Sequence, residues 1–142
     1  MEVKMKWDGD TRFVGESETG ATVTLETGVA YGGSGKNPTP MELVLVALAG
    51  CAGIDLVMIL EKMRVALSEV SMDIEARRRE EAPRYFEEIK IIYRISGDGL
   101  TEDKAERAAK LATEKYCSVG IMLREKAEIT YEVRIEQPSK RG

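Results

Sequence analysis

Two cysteines are the residues of this chain whose types and positions most readily suggest chemistry. Cys51 lies in the apolar segment Leu48–Gly53, and Cys117 lies in the segment Glu114–Val119. The 142 residues include no histidine, so the commonest general base and the commonest protein metal ligand are both missing. Thiol chemistry is therefore the first chemistry to consider. In a cytosolic chain two cysteines do not make a structural framework, so they are either inert core residues or a redox pair.

The composition is typical of a single soluble domain covering residues 1–142. A net charge of −4 argues against a nucleic-acid partner held by phosphate contacts. The N-terminal segment Met1–Trp7 alternates and lacks the apolar stretch of a signal peptide, which predicts a cytoplasmic protein. Side-chain amides are limited to Asn37 and Gln137 while charged residues are abundant, a usage that resembles that of thermophiles.

One segment is apolar enough to require a membrane check. Met41–Leu60 is interrupted only by Glu42 and Asp55, and a transmembrane helix needs roughly 20 apolar residues with few charges. Because Asp55 places a charge inside this segment, we predict no membrane partner. A helix that is apolar on all sides is instead expected at the centre of a protein, covered by other elements or by a partner.

The pattern along the chain predicts an α+β domain with the element order β-β-β-α-β-β-α-α-β. Alternating segments predict the strands, and segments with helical spacing predict a long helix and two later helical pieces. The predicted ranges after the first three strands are 40–64 for the long helix, 68–79 and 85–95 for a hairpin, 101–115 and 117–126 for the later helices, and 127–135 for the last strand.

The long helix has a predicted start signal and a distinctive face. Thr39 is a plausible N-cap, and Glu42 stands three residues later, as in a capping box. The glycine-rich loop before it lacks the Gly-Lys-Ser/Thr ending of a phosphate-binding loop. On a helical wheel Ala47, Gly50, Cys51 and Ile54 share one face with little side-chain bulk. We expect this face to pack against a second copy in a homodimer; the alternative is a monomer whose helices cover each other.

The segments Asn37–Leu43, Ala49–Cys51 and Tyr116–Val119 together resemble the osmotically inducible protein C / organic hydroperoxide resistance (OsmC/Ohr) family. The resemblance covers nearly the whole chain, and the pair of motifs is fairly specific. The chain is most similar to an uncharacterised branch of bacterial and archaeal proteins that shares Arg78–Arg84 and Glu114–Ser118.

The resemblance implies an OsmC-like intertwined dimer, in which two central helices are wrapped by antiparallel sheets. It also implies a thiol peroxidase that needs no cofactor or metal and reduces organic hydroperoxides at sites on the subunit interface. Cys51 corresponds to the peroxidatic cysteine and Cys117 to the resolving cysteine. Glu42 corresponds to the family's glutamate, and Arg12 to the arginine that activates the thiolate. An external dithiol would reduce the resulting disulfide.

Several alternatives remain open at this stage. Arg79 or Arg84 could supply the activating cation instead of Arg12. Asp55 follows Cys51 by four residues on the same helix face, and a carboxylate there raises the pKa of a neighbouring thiol unless a cation neutralises it.

Glu42 precedes Cys51 by nine residues, nearly on the opposite side of a continuous helix. It can reach that thiol only if the helix bends at Gly50; otherwise it serves the partner's site. The alternative function is a non-catalytic dimer that binds a small molecule or senses thiol redox state on the same scaffold.

Overall fold

The computed structural model describes residues 1–137 and confirms the predicted α+β class with two three-stranded sheets. The chain divides into two compact units, Met1–Val46 and the part from Ala47 onward. The boundary lies within the long helix, and each unit is described by itself. The expected single domain of 142 residues stays a prediction.

The first unit contains the three strands predicted before the long helix, and they form an antiparallel meander. Its strands are β1 (Val3–Trp7), β2 (Phe13–Ser17) and β3 (Thr22–Leu25), in the order β1-β2-β3. The alternation that predicted these strands is the period-2 pattern of a pleated sheet.

The glycine-rich loop after β3 folds around a carboxylate of the chain itself. Glu26 is only 3% exposed and accepts hydrogen bonds from the Ser34 and Gly35 amides at 2.7 and 3.1 Å and from the Ser34 hydroxyl. These bonds lower the pKa of Glu26, with the Ser34 hydroxyl contributing most. At Gly33 a Cβ would lie 1.9 Å from the Thr27 carbonyl oxygen, so only glycine fits. The loop therefore uses its amides to bind an internal anion.

The long helix α1 (Pro40–Lys62) begins with the predicted capping box. The Thr39 amide donates to Glu42 Oε1 at 3.1 Å, and the Glu42 amide donates to Thr39 Oγ1 at 3.2 Å. By length and composition α1 could span a bilayer, a test that the core helix of a soluble protein also passes.

One side of α1 is buried and the side with little bulk is exposed. The buried side repeats every four residues, as one face of a helix does; it consists of Leu48, Ala52, Leu56 and Leu60. Ala47, Gly50 and Ile54 are exposed in the single chain, and a Cβ on Gly50 would meet nothing within 4 Å.

The second sheet is a hairpin with one added strand, in the order β4-β5-β6. Strands β4 (Ala66–Arg78) and β5 (Phe86–Asp98) are antiparallel, as predicted. Strand β6 (Glu128–Ile135) pairs with β5 in parallel, so the prediction of purely antiparallel sheets is wrong. The helical crossover carries the chain back to the end of the sheet where β5 begins, so β6 runs in the same direction as β5, and a connection of that length permits parallel neighbours.

The crossover contains α2 (Glu102–Lys110), a π-helical segment (Leu111–Tyr116) and α3 (Ser118–Leu123). The predicted helix over 101–115 is therefore α-helical only up to Lys110. Its predicted start is confirmed, because Thr101 Oγ1 accepts the Lys104 amide at 3.2 Å.

Candidate active site

The two cysteines come from different elements of the second unit. Cys51 lies on α1, next to the buried residues Leu48 and Ala52, and is itself half-buried. Cys117 is the N-cap of α3, with an extended backbone, and is fully buried. Its sulfur accepts a hydrogen bond from the Gly120 amide at 3.2 Å. The Cys117 thiol also donates to the Leu48 carbonyl across 3.9 Å.

The two thiols interact with each other, and both cysteines are free. The pKa of Cys117 is raised to about 11, well above its ordinary value of 9.0. Burial is the largest cause, and the Cys51 thiol and the Asp55 charge raise the pKa further. The Gly120 amide acts in the opposite direction. Cys117 is therefore a protonated thiol at neutral pH.

Gly120 has no side chain, and this leaves room for the sulfur atom of Cys117. A Cβ at this position would lie 3.3 Å from that sulfur and 3.5 Å from the Leu48 Cδ1 atom. Both contacts lie inside a packed core, where added volume is poorly tolerated. A small residue three positions after Cys117 is thus part of the site.

A buried hydrogen bond holds the π-helical segment against the sheet beside the thiols. The Tyr93 hydroxyl on β5 and Thr113 Oγ1 are 2.7 Å apart, and both residues are buried. Burial raises the pKa of Tyr93 to about 12, and the charges of Cys117 and Asp55 contribute in the same direction. Arg124 donates to the carbonyls of Thr113 and Glu114, which satisfies backbone acceptors at the end of the segment.

Asp55 borders a cavity of about 340 Å³ between α1 and the π-helical segment. The cavity lining is mostly apolar and includes Met58, Ile59, Leu111 and Tyr116. In residues 1–137 the Asp55 carboxylate makes no hydrogen bond or ion pair, although its charge acts on Cys117 and Tyr93. The carboxylate whose charge acts on Cys117 is therefore unpaired within residues 1–137.

The other residues that the sequence singled out make local contacts. In the first unit, the Arg12 guanidinium donates to Asp8 Oδ2 at 3.1 Å and to the Asp8 carbonyl at 2.9 Å. Glu42 is exposed in its capping box, and the bonds to Thr39 lower the pKa of its carboxyl.

The hairpin arginines that were the alternatives to Arg12 are likewise engaged at the hairpin end. Arg79 pairs with Glu81 at 3.3 Å and lies over the Tyr85 ring, 5.2 Å from its centroid. Arg84 donates to the Arg79 carbonyl at 3.1 Å. The activating roles that the resemblance implied for Arg12 and Glu42 stay predictions.

Sequence reasoning identified both cysteines and Asp55 but missed the groups around them. Tyr93 lay within a segment predicted to be a strand, and Thr113 lay within a segment predicted to be helical. Neither position has a local signal, because their hydrogen bond joins residues 20 positions apart. Among residues 1–137 no group of three His, Cys, Asp or Glu side chains could hold a metal ion.

This arrangement of two adjacent thiols, one on a central helix and one at the start of a short helix, occurs in a chain that belongs to the OsmC-like protein family. The family matches residues 33–132. Protein YhfA of Escherichia coli K12 is 38% identical over 136 residues, which cover 95% of this chain and 98% of that protein.

Solved structures share the fold. A hypothetical protein from Aquifex aeolicus VF5 is similar with a TM-score of 0.80 and 33% identity, over 96% of this chain and 97% of the other. An organic hydroperoxide resistance protein OsmC from Legionella pneumophila aligns with a TM-score of 0.68 and 20% identity, over 94% and 96% of the two chains. At 20% identity the second similarity shows the fold alone.

Proposed function

We propose that this protein is a cysteine-based thiol peroxidase that reduces organic hydroperoxides to alcohols. The observation that carries the proposal is the contact between a half-buried thiol, Cys51, and a fully buried one, Cys117. A thiol that peroxide can reach, with a second thiol behind it, is the arrangement that a two-cysteine reductase needs. The hydroperoxide resistance proteins among the structural neighbours support the same reaction class.

The reaction divides between the two cysteines according to their exposure. The Cys51 thiolate attacks the O–O bond, the alcohol leaves, and Cys51 becomes a sulfenic acid. Cys117 then attacks the Cys51 sulfur, so that an S–S bond forms, the S–O bond breaks and water leaves. An external dithiol reduces the disulfide by thiol–disulfide exchange and restores both thiols.

Peroxide consumption tests this function directly. The protein is incubated with cumene hydroperoxide and dithiothreitol, and the remaining peroxide is measured against Cys51→Ser and Cys117→Ser variants. We expect turnover by the native protein and none above background by Cys51→Ser. Equal peroxide loss in the native protein and Cys51→Ser would refute the proposal.

A redox sensor without turnover is the second candidate, and the unpaired carboxylate of Asp55 favours it. A negative charge near a thiol opposes formation of the thiolate, and the charge of Asp55 acts in this way on Cys117. In that case one equivalent of hydroperoxide would form the Cys51–Cys117 disulfide over many minutes, and dithiothreitol would not sustain catalytic consumption. The same assay, followed by mass spectrometry of the disulfide, distinguishes the two functions.

We further propose that the protein acts in the cytoplasm as a homodimer formed through α1. In the single chain Ile54 and Met58 are 64% and 52% exposed. They border a groove of about 400 Å³ that Gly50, Val57 and Val70 also line. A contiguous apolar face on a helix this long is expected to be covered by another protein surface, and an identical face on a second copy satisfies two-fold symmetry.

Light scattering tests the dimer. The native protein is expected at twice the chain mass at micromolar concentration, and Ile54→Glu at the chain mass. Exposed Glu61→Gln serves as a matched control that should leave the mass unchanged. A folded native monomer at that concentration would refute the proposal.

A further inference from the structure

The cavity of about 340 Å³ between α1 and the π-helical segment has no part in the thiol reaction. Its volume lies within the range of about 300–1,000 Å³ that small-molecule sites occupy. On α1 it is lined at positions 55, 58, 59, 62 and 63. These positions recur every three or four residues, so they share one face of the helix. One wall of the cavity is therefore a continuous helical surface.

The π-helical segment supplies the opposite wall. Its two lining residues, Leu111 and Tyr116, are five positions apart. In an α-helix, residues with this spacing would point about 140° away from each other, on different sides of the helix. Hydrogen bonding from residue i to residue i+5 brings them to the same side. The π-helical turn thus lets both side chains line the cavity, and turns of this kind are frequent at functional sites.

Most of the lining is apolar. It consists of Met58, Ile59 and Met63 from α1 and of Leu111 and Tyr116 from the π-helical segment. Methionine side chains are flexible and polarisable, so they adapt to apolar groups of different shape. A molecule that fills the cavity therefore needs an apolar body, such as an alkyl chain.

Two charged residues also line the cavity, and they are separated along it. Asp55 and Lys62 are seven positions apart on α1, which places them on the same face at a rise of about 10 Å. Within residues 1–137 neither side chain makes a hydrogen bond or an ion pair. Lys115 lies over the Tyr116 ring, 5.3 Å from its centroid, but does not line the cavity. The lining thus offers one carboxylate and one ammonium group to a ligand.

We propose that this cavity binds a small zwitterion, with an ammonium group at Asp55, an apolar body along the cavity and a carboxylate at Lys62. A ligand with a single charge would leave one of the two side chains without a partner, and a charged group that loses water without gaining a partner is unfavourable. A zwitterion of matching length gives each side chain a charge-assisted hydrogen bond. The ligand class is an ω-amino acid or a compound with the same charge pattern. The site is independent of the thiols and goes beyond the peroxidase.

Ligands that share one body and differ in their charges test the site. The full-length protein is titrated with 8-aminooctanoate, octylamine and octanoate, and Kd is obtained from amide chemical shifts, with Leu111 and Tyr116 as local reporters. We expect 8-aminooctanoate to bind about tenfold more tightly than either singly charged compound, because it pairs with both charged side chains. Triglycine has a similar length but a polar body, so it should bind more weakly than 8-aminooctanoate.

Two variants assign the two ends of the ligand. Asp55→Asn should abolish the advantage of 8-aminooctanoate over octanoate, and Lys62→Gln should abolish its advantage over octylamine. The exposed controls Glu61→Gln and Lys110→Gln should keep both advantages. Lys62 also lies in the last turn of α1, where a cation stabilises the helix end, so thermal unfolding is measured for every variant. A purely structural defect would weaken all three ligands together, whereas the proposed roles change the ratios of their affinities.

The native protein alone can refute the proposal, whether or not the variants fold. Equal affinities for 8-aminooctanoate, octylamine and octanoate would overturn it. The absence of shifts at the Leu111 and Tyr116 amides with millimolar ligand would also overturn it. Selectivity for the zwitterion that survives both Asp55→Asn and Lys62→Gln would place the ligand elsewhere and would overturn it as well. Selectivity that is retained in Cys51→Ser and lost in these two variants would support the site.

Discussion

Replacing Cys51 by serine leaves Cys117 as the single thiol, and its reactivity then measures how strongly burial suppresses its ionisation. Burial is the largest cause of its raised pKa, so most of the effect should persist in this variant. At pH 8 an ordinary thiol with the value of 9.0 is about 10% thiolate, whereas one at about 11 is about 0.1% thiolate. Because iodoacetamide reacts with the thiolate, suppressed ionisation should make labelling of the folded variant slower than labelling in guanidinium chloride by up to about 100-fold.

Mass spectrometry at timed intervals gives the two labelling rates. The Cys117→Ser variant is the control, since half-buried Cys51 should label in the native protein well before Cys117 does. Labelling of native Cys117 within about tenfold of the unfolded rate would refute the argument from burial.

The same raised pKa makes stability depend on pH. Between the unfolded value near 9.0 and the folded value of about 11, the native state keeps the Cys117 proton while the unfolded chain loses it. The stabilisation is therefore fully present below pH 9 and is lost as pH rises to 11. Linkage gives a loss of up to roughly 2–3 kcal/mol over that window. The urea midpoint should fall between pH 8 and pH 10.5, and it should fall less in Cys117→Ala than in the native protein. An identical fall in the two proteins would contradict the assignment of this pH dependence to Cys117.

Three other substitutions test the surroundings of the site and the loop. Gly120→Ala should destabilise the protein by about 1–3 kcal/mol in urea unfolding, because the new methyl group would crowd the neighbouring cysteine sulfur; an unchanged midpoint would contradict this. Tyr93→Phe leaves the buried Thr113 hydroxyl without its partner and should cost about 1–3 kcal/mol, of which a Thr113→Val change in the same chain should recover part. Glu26→Gln should speed hydrogen exchange of the Ser34 amide. The same substitution should also remove a pH dependence of the protein's stability. The lowered pKa of Glu26 means that its carboxylate stabilises the native loop at neutral pH, and this stabilisation is lost as the pH falls through the pKa of the folded state.

Local sequence patterns were sufficient to predict a structural feature wherever the interactions that determine it join residues only a few positions apart. The capping box joins Thr39 to Glu42 three residues away, and the alternation of Val3–Trp7 records which side chains share a face of one strand. The direction of β6 could not be read in this way, because alternation is the same for parallel and antiparallel neighbours. The π-helical turn was also hidden, since its bonds to Tyr93 and Arg124 connect distant parts of the chain.

The amino-acid sequence by itself determined the α+β class, the long apolar helix and the family resemblance, and it singled out the two thiols as the candidate reactive groups. Only the tertiary structure decided that Cys51 and Cys117, 66 positions apart, are neighbours, and that the charge of Asp55 acts on Cys117. The reason is physical: hydrophobic periodicity and caps act over one or two turns, whereas the burial and charge that set a thiol's reactivity depend on which segments pack together.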